Sequence, residues 1–269
     1  MSFPSPSPTT AALVTGSSSG LGVEIARCLA RRGHNLILVA RRLERLDRLA
    51  EELSAEHGIR AETIGADLAD PSARAALVDL VTDAELTVDV LVNNAGLGSD
   101  GPFHEQDVDR HNLIVSVNVD AVVDLCARFV PPMVERGTGA VMNVGSVLGF
   151  QPVPSTVTYA ATKAFVLSFT EGLHTELTGT GVHATALCPG PVKTEIWDEA
   201  GADALLDLAP SFVVVDADRV AEEGVAGLER NRRVVVPGIA NRIGAFNGQY
   251  TPRSILLPVA DALSKLVRR

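Results

Sequence analysis

A doubly wound α/β fold, one domain around a mostly parallel sheet of about seven strands, is what this sequence predicts. Three observations carry that expectation. Short apolar runs, which read as buried strands, recur along the whole chain. Helical stretches separate them, so the connections read as right-handed βαβ crossovers. No repeat, long linker or composition break interrupts the 269 residues.

In order, residues 11–15 (AALVT) form the first strand and 24–32 a helix stopped near Gly33. Residues 35–40 (NLILVA) are the second strand, and 43–57 a charged helix closed by Gly58. A third strand spans 60–64, a helix 71–82, and a fourth strand 89–92 (DVLV). Residues 107–136 read as helical, with Pro131-Pro132 expected to break or kink the run. A fifth strand covers 139–144, a helix 159–178, and a sixth strand 182–187. A helix over 218–230 precedes a seventh strand at 234–236.

Nearly half the residues are apolar, enough for a large core, and the net charge is −10. That balance argues against nonspecific nucleic-acid binding, which needs basic patches. Cys28, Cys126 and Cys188 lie far apart, without CxxC or zinc-type His spacing, and read as reduced thiols rather than metal ligands or a disulfide. His104, His111, His174 and His183 do not cluster either. Residues 1–10 lack the basic and apolar regions of a signal peptide and read as a flexible tail, the remaining 11–269 forming the domain. No apolar run is long enough to span a bilayer. The expected location is the cytoplasm.

Between the first strand and first helix lies Thr15-Gly16-Ser17-Ser18-Ser19-Gly20-Leu21-Gly22. A strand, glycine loop and helix in this order open a Rossmann-type domain: the glycines let the backbone approach a dinucleotide pyrophosphate at the positive helix N-terminus. The spacing is GxxxGxG rather than GxGxxG. At the end of strand two, where an acid would bond a ribose 2′-hydroxyl, stand Arg41 and Arg42. A guanidinium suits a 2′-phosphate, so NADP(H) is the expected cofactor, with Arg41 the principal contact. Farther along, Tyr159 and Lys163 share one helical face. A phenol titrates near pH 10, too high for neutral acid/base work, and a neighbouring ammonium favours its phenolate. Ser146 follows strand five at its C-terminal end and can hydrogen-bond a carbonyl oxygen.

With these motifs the chain resembles the short-chain dehydrogenase/reductases along almost its whole length. Thr15 to Gly22 matches the family's cofactor loop, and Asn93-Asn94-Ala95-Gly96 its NNAG element. Asn118, Ser146, Tyr159 and Lys163 match the catalytic positions, and Pro189-Gly190-Pro191-Val192-Lys193-Thr194 the segment that covers the nicotinamide. The resemblance implies an oxidoreductase moving a hydride between NADP(H) and a carbonyl or secondary alcohol. It implies that Tyr159 exchanges the proton, Lys163 lowers its pKa and bonds the nicotinamide ribose, Ser146 polarises the carbonyl and Asn118 holds a water leading to Lys163. By the same resemblance Asp67, followed by Leu68, bonds the adenine amino group, Asn94 and Gly96 lie along the cofactor, and Thr194 bonds the carboxamide. No metal is implied. The different-class alternative is a catalytically idle NADP(H)-binding regulator or scaffold on the same fold.

The rest concerns substrate and assembly. Residues 194–215 are expected to form a substrate lid. The stretch holds Trp197 and other apolar side chains, five acidic residues and no Lys or Arg, which favours an apolar ketone, aldehyde or ketoacyl substrate over a small keto acid. Residues 237–242 (PGIANR) with Pro252-Arg253 more loosely resemble a ketoacyl-reductase-like subgroup. Residues 254–269 are expected to pack on the body or join an oligomer rather than lie on a membrane surface, with Pro258 limiting the helix to the part after it or to a kinked form. A homodimer or homotetramer through helices 107–130 and 159–178 is implied by the family.

Overall fold

The computed structural model describes residues 3–99, 101–192 and 213–267, with side chains as far as 262. One seven-stranded parallel sheet organises them. The strands are β1 (Thr10–Thr15), β2 (Asn35–Ala40), β3 (Ala61–Gly65), β4 (Thr87–Asn93), β5 (Gly139–Val144), β6 (Val182–Leu187) and β7 (Val234–Val235). Their spatial order is β3-β2-β1-β4-β5-β6-β7. Winding reverses between β1 and β4, which opens a crevice at the C-terminal ends of the strands, where such sheets bind ligands.

The period of two along each strand explains the continuous apolar runs. In β1, Ala12 and Val14 join a core on one face; Ala11 and Leu13 join the core on the other. In β2, Leu36 and Leu38 face the first core, Ile37 and Val39 the second. The first core is covered by α1 (Gly20–Arg31), α2 (Leu43–His57) and, later in the chain, α7 (Ala217–Glu229). The second is covered by α3 (Pro71–Asp83), α5 (Ala121–Arg136) and α6 (Val157–Glu176). In α1, Leu21, Ile25, Cys28 and Leu29 recur at helical spacing and are buried. Asp70 caps α3 through its side chain, ahead of Pro71 at the first helical position.

At both proline sites the chain stays helical, so of the break or kink expected there the break does not occur. The helix is not broken at Pro131-Pro132; it continues to Arg136, because Phe129, Val130 and Met133 are buried against the sheet. The irregularity falls earlier: α4 (Val108–Val115) passes into α5 through a π-helical turn at Ser116–Asp120. Pro258 lies inside α9 (Arg253–Val267), so of the two expected forms the helix is the one that runs through the proline. Preceding it is α8 (Ile239–Tyr250), a helix the sequence pattern did not announce. Among the described side chains of α9, Ile255, Leu257 and Val259 are exposed.

Residues 3–9, expected as a flexible tail, lie against the body. Pro4 is buried, Phe3 meets the His34 ring edge-on at 5.5 Å, and Asn35 Nδ2 donates to the carbonyl of Ser7 at 2.9 Å. Among the described residues no helix is long and apolar enough to cross a membrane.

Candidate active site

The glycine loop and the NNAG element are strapped together. Thr15 Oγ1 donates to Val92 O at 3.2 Å and accepts from the N–H groups of Asn94 (3.0 Å) and Ala95 (3.1 Å). Asn94 Nδ2 donates back to the carbonyls of Thr15 and Gly16. This closeness explains the glycines. Gly16 has φ +67°, and a Cβ there would stand 2.8 Å from Ala95 Cα. A Cβ on Gly22 would overlap Gly16 O and Asn94 Nδ2. Any side chain at either position must part the two loops.

The same cradle fits a dinucleotide. Helix α1 begins at Gly20, four residues earlier than expected, so its N-terminus opens inside the loop. Its N-cap Ser19 makes no side-chain cap bond, and no acid sits in the first turn. The first N–H groups and the positive end of the dipole are left for an anion. The Ser19 hydroxyl instead accepts from Arg42 Nη2 at 2.8 Å, and Ser18 Oγ accepts from Arg42 Nε and Nη2. Arg41 and Arg42 both line the crevice, as do Gly16, Ser18, Ser19, Gly20 and Leu21. Asp67 and Leu68 close the adjoining wall; Asp67 Oδ1 accepts from Ala69 N–H at 3.0 Å.

The crevice continues to Ser146, Tyr159 and Lys163. Ser146 leaves β5 and caps the following turn, its Oγ accepting from Leu148 N–H at 3.1 Å, which leaves its proton to donate. Helix α6 places Tyr159 and Lys163 one turn apart, with Lys163 Nζ 5.6 Å from the Tyr159 ring centre. Lys163 is only 4% exposed and donates to Val144 O at 2.7 Å. Gly96 admits it: Asn118 Oδ1 and Lys163 Nζ each lie 3.4 Å from where a Cβ on Gly96 would stand. Asn118 sits in the π turn. It accepts from Leu97 N–H (2.8 Å) and donates to Leu97 O and Thr162 Oγ1 (both 3.0 Å), fixing the wall beside Lys163. Behind these groups Asn93 donates to Asn143, which donates to Thr170, tying β4, β5 and α6 together.

The protonation balance differs from the expected one. Burial pushes the Tyr159 phenol up to about 12, with the Ser146 hydroxyl beside it pulling the other way. Burial also pulls the Lys163 ammonium down to about 8. In the chain alone Lys163 does not depress the phenol. Both groups resist charge for the same reason, and the ammonium is turned toward the Val144 carbonyl. Tyr159 is therefore a neutral hydroxyl at ordinary pH, the form that donates a proton. Cys188 at the end of β6, also pushed up to about 12 by burial, is a thiol.

Pro189, Gly190 and Val192 line the crevice as expected, whereas Thr194 and the lid from 194 to 212 lie outside the described residues. One residue of this wall was not foreseen. The buried Asn241 on α8 donates to Val213 O and Pro237 O, both at 3.0 Å, and packs where a Cβ on Gly190 would overlap it. Val215 N–H donates to Pro191 O at 3.2 Å beside it. The PGIANR pattern held this residue, but its partners are distant in sequence. Asn241→Ala leaves two carbonyls without their donor, so the unfolding free energy is expected to fall by about 2 kcal/mol in a denaturant titration.

A parallel sheet with an uncapped glycine-loop helix, and a Ser–Tyr–Lys group at the far end of the same crevice, defines a dinucleotide-dependent oxidoreductase. Comparison with known proteins agrees. Residues 10–205 match the family model for short chain dehydrogenase, and the chain belongs to that family. It is 40% identical over 220 residues to sulfoacetaldehyde reductase 2 of Chromohalobacter salexigens, covering 78% of this chain and 84% of that one. A short-chain dehydrogenase from Sphingobium yanoikuyae, solved in complex with NADPH, superposes with a TM-score of 0.80 at 38% identity, covering 93% and 95% of the two chains. A bulky-bulky ketone specific alcohol dehydrogenase from Comamonas testosteroni gives 0.76 at 32% identity, covering 90% and 92%. The chain is an oxidoreductase of this family rather than an idle scaffold.

Proposed function

We propose that this protein is an NADP(H)-dependent reductase or dehydrogenase for an apolar ketone, aldehyde, secondary alcohol or ketoacyl group. The observation that carries this reading is the single crevice running from Arg41, Arg42 and Ser18 to Ser146, Tyr159 and Lys163. Bound along it, the dinucleotide supplies or accepts the hydride. In the direction of reduction the Tyr159 hydroxyl donates its proton to the carbonyl oxygen. Ser146 donates a hydrogen bond to that oxygen, and the Lys163 ammonium stabilises the phenolate left behind. Asn118 positions the wall at Leu97 and the turn of α6 at Thr162.

Two guanidiniums and a serine where an acid would otherwise stand favour NADPH over NADH. The S. yanoikuyae neighbour, solved with NADPH, supports that assignment. Arg41→Ala is expected to lower the NADPH-to-NADH affinity ratio about 10-fold or more, one charge-assisted hydrogen bond being worth about 1.5–3 kcal/mol. Titrating both cofactors into wild type and variant checks it; an unchanged ratio would remove the basis for NADP.

The substrate assignment rests on the wall near Ser146. Leu97, Val117, Val147, Leu148, Pro191 and Val192 line it, and Lys163, already bonded to Val144, is the cation at that end among the described residues. The C. testosteroni neighbour, named for bulky ketones, supports a ketone of some size; the C. salexigens relative, named for sulfoacetaldehyde, points to a small anionic substrate. Oxidation of NADPH with matched pairs, a neutral apolar ketone against a short keto acid or sulfonated aldehyde, decides between them. A consistently higher kcat/KM for the anion would overturn the apolar reading. We further propose a cytoplasmic protein assembled as a homodimer or homotetramer.

A further inference from the structure

Helix α6 carries Tyr159 in its first turn, and that turn begins without local support. The chain enters it through Ser155 at φ +73°, the left-handed region that residues other than glycine rarely occupy. Thr156 stands at the N-cap, but its side chain caps nothing, and Thr156 Oγ1 is buried without a hydrogen bond among the described residues. Helix α4 is the opposite case, with Asp107 at its N-cap accepting from Asp109 N–H at 2.9 Å.

His111 on α4 reaches the unsupported turn. Its Nδ1 lies 2.8 Å from the hydroxyl of Thr158, the residue before Tyr159, and its Nε2 lies 3.3 Å from Phe103 O. A carbonyl only accepts, so in the neutral ring Nε2 carries the proton and Nδ1 accepts from Thr158. The Phe103 ring stacks on the imidazole, with centres 4.3 Å apart and planes inclined by 25°. Gln106 Nε2 donates to Gly101 O at 2.9 Å, and Arg110 Nη2 to Gly98 O at 2.8 Å. Gln106, Arg110 and His111 thus hold one loop by the carbonyls of Gly98, Gly101 and Phe103. That loop continues Leu97, which lines the crevice and is bonded at both its N–H and its carbonyl by Asn118.

We propose that His111 is a positioning residue for the reaction. It ties the turn that carries Tyr159 to the loop that continues the Leu97 wall, so the proton donor and the wall beside the substrate keep one spacing. The role rests on the proposed function, in which Tyr159 donates the proton. Neither His111 nor Thr158 lines the crevice, so the effect reaches Tyr159 through the backbone of α6. Lys163 and Thr162 are held separately, by Val144 O and by Asn118. Loss of the His111 bond is therefore expected to shift Tyr159 relative to Lys163 rather than to move the helix as a whole.

The test uses the full-length protein and the carbonyl compound that it reduces fastest with NADPH. Thr158→Val exchanges the hydroxyl for a methyl of the same shape, and His111→Phe keeps a ring against Phe103 without either nitrogen. Each is expected to lower kcat about 5- to 10-fold, an ångström of misplacement costing up to about 10²-fold. NADPH affinity, measured by fluorescence titration, is expected to stay within about twofold, since no bond to the crevice changes. Thr158→Ser, which keeps the hydroxyl, is expected to restore kcat to near the wild-type value. The double variant His111→Phe with Thr158→Val is expected to be no slower than the worse single variant, because both remove the same bond. A purely stabilising role would lower denaturant midpoints and leave kcat unchanged, and that result would overturn the proposal. So would a Thr158→Ser variant as slow as Thr158→Val, or losses that multiply in the double variant. Absence of any NADPH-dependent turnover in wild type, or a Tyr159→Phe variant as fast as wild type, would instead sink the proton-donor reading, and this role with it.

Discussion

Tyr159→Phe is expected to lower kcat by about 10² to 10⁴, the range for loss of a general acid. The substitution removes one oxygen and little else. Lys163 holds its position through Val144 O rather than through the phenol, and Ser146 loses its hydrogen bond to the phenol but keeps the one it accepts from Leu148 N–H. The ring still lines the crevice. NADPH affinity should therefore stay within about twofold of wild type, since no charge-assisted hydrogen bond is lost. Steady-state rates on a confirmed substrate, with fluorescence titration of the cofactor, separate the two quantities. Wild-type turnover in the variant would place the proton donor elsewhere.

The fold was legible where local chemistry and burial coincide. The runs 35–40, 139–144 and 182–187 match β2, β5 and β6 residue for residue, because each is buried along its whole length. It was less legible where tertiary contacts override local preference. Pro131-Pro132 would end an isolated helix, but the buried face of α5 holds the chain helical through them. The start of α1 was hidden because Gly20 and Gly22 read as turn; Gly20 opens the helix from the left-handed region, with φ +56°, and Gly22 is there for the close pass of the Gly16 carbonyl. Helix α8 was missed because Gly244, Gly248 and Asn247 weaken its propensity. Its large apolar residues, Ile239, Ile243, Phe246 and Tyr250, are exposed, so no single core-facing pattern announced it.

For the site, residue identities were legible and energies were not. Tyr159, Lys163 and Ser146 declare themselves by spacing and by position after β5, and the structure brings them to one crevice. The pairing of Arg42 with Ser18 and Ser19 spans more than twenty residues, and nothing in either segment alone reveals it. The clamp by Asn241 is hidden in the same way. Most instructive is the phenol: a Tyr one turn from a Lys suggests a lowered pKa, whereas the folded chain raises it, because burial acts on both groups and only the tertiary structure fixes burial.

That balance makes Lys163→Met an expected case of activity traded against stability. Turnover should fall at least 10²-fold, since the phenolate formed in reduction loses its cation, and cofactor affinity should fall with it. Stability should move the other way near neutrality. The folded chain holds the Lys163 ammonium at about 8 where the ordinary value is 10.5, so the unfolded chain binds that proton more tightly. Below about pH 8 both states are protonated and the folded one carries the full cost of the buried charge, about 3 kcal/mol. As pH rises from 8 to 10.5 the unfolded state still holds more protons, and wild-type stability recovers toward that of an uncharged side chain. Methionine never carries the charge but leaves the Val144 carbonyl without its donor, which costs about 1–2 kcal/mol. The variant is therefore expected to be about 1–2 kcal/mol more stable than wild type at pH 7, with the gap closing or reversing by about pH 9.5. Tyr159, raised to about 12, is present in both proteins, so its own contribution largely cancels in the difference. Denaturant titrations of both proteins at the two pH values measure it. A variant several kcal/mol less stable at pH 7 would show the ammonium to be a net support of the fold rather than a burden kept for chemistry.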